Sequence, residues 1–75
     1  MKVKKKIGYY KELSKIINNN INYIRYYKIK NNHSARRIYY GESHDIIVSY
    51  FDSGKISTDA FEYFLRRIYK SYFSL

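Results

Sequence analysis

The sequence predicts an all-α fold, a small domain of three to four helices closed by a C-terminal αα-hairpin. Three observations carry this. Apolar residues recur at 3.6-residue spacing over most of the chain, the loops between them are short clusters of Asn, Ser and Gly, and the last third holds nearly every local signal of a helix. Residues 9–75 form the single domain, and residues 1–8, basic and alternating, read as an N-terminal arm because like charges at that density repel.

From Tyr9 a stripe of Tyr9, Leu13, Ile16, Ile17, Ile21, Ile24 and Tyr27 defines an amphipathic helix. Asn18, Asn19 and Asn20 compete with the backbone for hydrogen bonds and are expected to divide it into two shorter helices. Asn31-Asn32-His33-Ser34 is a loop by composition, with Ser34 as the expected cap of the next segment. The flanking runs are rich in Ile and Tyr, so an α+β alternative places a β-hairpin at about 23–40.

Past Gly41, Ser43 is placed to cap a helix whose inward face is Ile46, Ile47, Tyr50 and Phe51. Gly54 supplies a left-handed stop, and Ser57 caps a last helix with Phe61, Phe64, Leu65, Ile68 and Tyr72 on one face. Ile56 is positioned to staple onto Phe61; Asp59 and Glu62 suit the positive end of that helix, and Arg66, Arg67 and Lys70 its negative end. The junction from Val48 to Glu62 resembles the helical-hairpin modules known as SHOCT domains in its apolar, Gly, Ile, Ser/Thr and Phe-Glu spacing, over about a third of the chain. Asp52, Ser53 and Gly54 also suggest an EF-hand loop, but Phe51 and Ala60 stand where oxygen ligands are needed, so no calcium site is expected.

The 75 residues leave little core to devote to a catalytic cleft, and the absence of Cys excludes disulfides, thiolate metal sites and a Cys nucleophile. No apolar run follows the basic start, so neither signal peptide nor membrane span is expected, and a cytoplasmic setting is the natural one. Lys, Asn, Ile and Tyr make up 38 residues, the bias of A/T-rich coding, which suggests a phage or mobile-element origin.

Charge is the strongest functional clue. Residues 1–37 hold eleven Lys or Arg against Glu12 alone, whereas residues 38–75 hold four against five acids. Lys11, Lys15, Asn18, Asn22, Arg25 and Tyr26 share the outer face of the first helix, where cations can follow phosphates and Asn can meet base edges. Lys28, Lys30, His33, Arg36 and Arg37 gather at the loop among Tyr26, Tyr27, Tyr39 and Tyr40, a mixture suited to an unpaired strand. The competing reading is a solvated surface over a tyrosine-rich core.

The expectation is therefore a non-enzymatic protein that binds nucleic acid or a host nucleoprotein complex, an acidic protein surface being the further partner considered. A homodimer is compatible with it, and no cofactor or metal is expected, the two His being too far apart for zinc. The alternative is a protein-binding inhibitor of a host defence or transcription complex, of the anti-CRISPR type. A membrane-surface role for the first helix ranks below both. Arg37 and His44 have the R-x6-H spacing of HEPN ribonucleases, and the resemblance implies a metal-independent ribonuclease. Ile38 stands where that family usually has a polar residue, and Gly41 is expected to interrupt the helix, so this reading also ranks below both.

Overall fold

The structure, a computed structural model, describes the backbone of residues 2–73 and the side chains of residues 8–73. It contains three helices, α1 (Lys2–Ile29), α2 (His33–Asp52) and α3 (Thr58–Phe73), and no strand among the described residues. They pack into a rod of 45 × 17 × 17 Å.

Contacts fix how the helices lie. Tyr9 meets Tyr50 and Tyr23 meets Tyr39, so α1 and α2 run in opposite directions. Tyr10 meets Phe64, and Asn18 meets Arg67 farther along both helices, so α1 and α3 run the same way. The core follows from the apolar stripes: Leu13, Ile17 and Ile21 from α1, Ile47 from α2, Ile56 from the α2–α3 turn, and Phe64 and Ile68 from α3. Ile24 is equally buried. Fully burying an aliphatic or aromatic side chain of this size contributes about 1.5–3 kcal/mol, and here the row of Ile and Leu on α1 is what the other two helices close over.

The stretch read as an arm has helical backbone from Lys2, continuous with the rest of α1, in keeping with the good helix propensity of Lys and the lack of any Pro. Several other local expectations are corrected. The Asn triplet does not divide α1, because Asn20 spends its amide on another helix instead of its own backbone. Buried at 5% exposure, it donates from Nδ2 to Glu42 Oε1 at 3.1 Å and to Ser43 Oγ at 3.0 Å. Ser43 is accordingly no cap. It lies fully buried in the middle of α2 and donates to the Tyr39 carbonyl at 2.7 Å. Helix α2 passes unbroken through Gly41, whose missing Cβ faces open space.

The β-hairpin alternative at 23–40 fails because the two Asn at its tip make helix ends. Asn31 takes the left-handed conformation at φ 61°, while the Asn31 and Asn32 amides return to the Lys28 and Tyr27 carbonyls and close α1. Asn32, not Ser34, caps α2, its Oδ1 accepting from the Ala35 amide at 3.1 Å. The end of α2 repeats the same closure with Gly54 at φ 73° and Lys55 bonded back to the Tyr50 carbonyl. Ser57 then caps α3, its Oγ accepting from the Ala60 amide at 3.2 Å.

Candidate nucleic-acid interface

Since α2 and α3 occupy the inner faces of α1, its outer face is left to solvent. Lys11, Lys15, Asn18, Asn22 and Arg25 all lie exposed along it at steps of three or four residues, with the exposed Tyr26 beside Arg25. Among the described residues Lys11, Lys15 and Arg25 make no ion pair. The one acid nearby, Glu12, accepts a 2.5 Å hydrogen bond from the Tyr50 hydroxyl on α2. Tyr10, Lys11, Glu12, Ser14, Lys15 and Asn18 line a shallow, open depression of about 600 Å³ at the start of this face.

Asn18, though exposed, is already engaged, its Oδ1 accepting from Arg67 Nη1 at 2.6 Å. That bond draws an α3 cation to the edge of the α1 row. The sequence favoured Arg67 as a cation at the negative end of its helix over a part in the basic surface, and packing of α3 beside α1 brings the two positions, 49 apart in sequence, together.

At the α1–α2 turn, Lys30, His33 and Arg37 are exposed, and Lys28 is half-buried and engaged. The Lys30 ammonium stands 5.7 Å from the Tyr26 ring centroid. Arg36 departs from expectation. It is buried, its guanidinium lies 4.6 Å from the Tyr72 ring centroid, and Nη2 donates to the Tyr72 carbonyl near the end of α3. Its Nε is buried without a partner among the described residues. Arg36 is thus a structural tie between α2 and α3. It stands two helical turns before the fully buried Ser43, and that spacing puts it on the inward face of α2.

The tyrosines at this end form an ordered stack. Tyr39 is parallel-stacked with Tyr23 at 4.7 Å and with Tyr27 at 5.8 Å, and Tyr26 meets Tyr27 edge-on at 5.0 Å. Burial, followed by the neighbouring phenols of Tyr27 and Tyr23 and the Glu42 carboxylate, raises the pKa of Tyr39. Tyr23 was not singled out in the sequence. Its i,i+4 relation to Tyr27 was the available signal.

Arg37 and His44 lie on one uninterrupted helix, two turns apart and both exposed, contrary to the expected break at Gly41. The nearest acid to His44 is Asp45, at 3.6 Å and largely in solvent. His44, Asp45, Val48, Ser49, Asp52 and Ser53 line a second shallow depression, and no group of three metal-ligating side chains occurs among the described residues.

Taken by level along the rod, charge is unevenly spread. Residues 18–44 and 66–73, which Asn18–Arg67, Asn20–Ser43 and Tyr40–Tyr72 bring to one end, carry eight Lys or Arg against Glu42 alone. The rest of the chain carries seven Lys against five acids. No described helix is long and apolar enough to cross a membrane. Comparison with protein-family models, with curated proteins and with solved structures found no match.

Proposed function

We propose that this protein binds nucleic acid, alone or within a nucleoprotein complex, and does so without catalysing a reaction. The observation that carries the reading is the exposed row Lys11, Lys15, Asn22, Arg25 and Tyr26 on one helix face, its cations unpaired among the described residues and bordered by Arg67. Such a row fits phosphates on affinity grounds, since each cation placed against the backbone releases condensed counterions. In this reading the C-terminal αα-hairpin of residues 43–72 is the scaffold that holds α1 straight.

Titration of a labelled duplex and a labelled single strand at two salt concentrations tests it. With four or five phosphates neutralised, duplex affinity falls by roughly four-thousandfold to thirty-thousandfold over a tenfold rise in salt. Reversing Lys15 and Arg25 to Glu removes most of the binding, while reversing Arg66 and Lys70, with Glu62 one turn before Arg66, weakens it less. Absence of binding to either probe at low salt overturns the proposal.

A second reading, an inhibitor that grips a protein of a host defence or transcription complex, draws support from Ile29 and Ile38, 83% and 66% exposed on the helices either side of the α1–α2 turn. Its signature is tight binding to an acidic protein with shallow salt dependence. A phage or mobile-element origin suits either reading.

A further inference from the structure

Tyr26 is an aromatic residue that the core does not account for. Half of its surface is in water, and it lies outside the cluster that makes the core. Its ring is nevertheless held in place. One edge contact with Tyr27, at 5.0 Å and 78°, fixes its orientation, and Tyr27 is fixed in turn by parallel stacking on Tyr39. Along α1 it stands one turn after Asn22 and one turn before Lys30, both exposed, with Arg25 beside it.

From this arrangement we infer that Tyr26 is a stacking platform for an unpaired nucleobase, which makes the ligand of the basic face a single strand in preference to a duplex. The inference rests on the nucleic-acid reading above and narrows its ligand. A pre-oriented ring loses little side-chain entropy when a base settles on it. The Lys30 ammonium lies over the ring, 5.7 Å from its centroid, and its flexible stem lets an incoming base displace it toward a flanking phosphate. The exposed Asn22 amide offers both a donor and an acceptor to a base edge. In a duplex both faces of every internal base are already stacked, so Tyr26 has nothing to receive there and only the cations contribute. Tyr23, 40% exposed and stacked on Tyr39, is placed to extend the platform.

The experiment compares four labelled probes with equal total numbers of phosphates: a single-stranded RNA, the same sequence as DNA, a duplex of half that length, and an abasic phosphodiester strand. Binding is read by fluorescence anisotropy at low salt for the parent, Tyr26→Ala and Tyr26→Phe. The base-bearing strands bind the parent more tightly than the abasic strand, by roughly 5- to 150-fold per stacked ring. Tyr26→Ala loses more on the base-bearing strands than on the abasic strand and so narrows that margin, whereas Tyr26→Phe keeps it. Since Tyr26 lies outside the core, both variants retain the parent's helical circular dichroism. Equal affinity for abasic and base-bearing strands, equal affinity for duplex and single strand, or an equal loss on every probe in Tyr26→Ala overturns the inference while leaving the basic face standing. Failure of all four probes to bind overturns the nucleic-acid reading itself.

Discussion

Replacing Asn20 by Ala tests how the middle of the bundle is specified. Its amide makes two hydrogen bonds to α2, of unequal worth. The one to Ser43 lies wholly inside the protein, and losing it costs about 1 kcal/mol, near the centre of the usual range for a net intramolecular hydrogen bond. The one to Glu42 ends on an exposed carboxylate that water will solvate again, so its loss adds about 0.5 kcal/mol. Truncating a buried side chain leaves unfilled volume, bringing the sum to about 2 kcal/mol. For a domain of this size each kcal/mol lowers Tm by about 4–8 °C, so Asn20→Ala should melt about 8–16 °C below the parent. Circular dichroism melts measure it. The companion variant, Asn20→Leu with Ser43→Ala, replaces both partners by apolar groups and should lose less than the two single variants added together. An unchanged melting temperature in Asn20→Ala refutes the reading of Asn20 as a stabilising tie between α1 and α2.

Gly54→Val should destabilise by about 1–2 kcal/mol through backbone strain alone, since φ is 73° and a Cβ there meets nothing, and Gly54→Asn should recover most of it in urea titrations. The Tyr50 hydroxyl, donating to Glu12, has its pKa pushed up to about 12. A folded-state value above the unfolded one means that this stabilisation is fully present below about pH 10 and is lost as pH rises through about 12. Urea midpoints across that window should therefore fall more steeply for the parent than for Tyr50→Phe, and parallel curves would remove Glu12 as the cause. Arg36→Glu should lower Tm markedly by placing a carboxylate against the Tyr72 carbonyl, while Arg37→Glu should leave Tm near the parent and act on binding alone.

Apolar periodicity made the cores of α1 and α3 legible, because Leu13, Ile17, Ile21, Ile24, Phe64 and Ile68 keep 3.6-residue spacing without interruption. The turn between α2 and α3 was legible because each residue type there has one job, Gly54 as the left-handed stop and Ser57 as the cap. Asn was the ambiguous letter. The same side chain is a breaker at 18–20 by propensity, a left-handed stop at Asn31, a cap at Asn32 and a buried tie at Asn20, and only its tertiary partner decides among them. Charge was ambiguous for a related reason. Arg36 and Arg37 are neighbours in sequence, yet a helix turns them about 100° apart, sending one into the protein against Tyr72 and the other into solvent. The proposed interface row on α1 could be read in advance because its inner face was so plainly apolar; the contribution of Arg67 could not.

The uneven charge described above gives the rod a permanent electric asymmetry along its long axis, and this affects arrival before it affects grip. Near a polyanion, within a Debye length of about 8–10 Å, the field exerts a torque that swings the α1–α2 turn inward, so encounters are biased toward one orientation and fewer collisions are wasted. The same field acts between copies. Two molecules meeting turn to turn repel most strongly, whereas head-to-tail neighbours set that end against one whose seven Lys are largely offset by five acids, and repel less. A strand long enough for several copies would thus tend to align them in one sense, and that polarity would vanish in high salt along with the field that produces it.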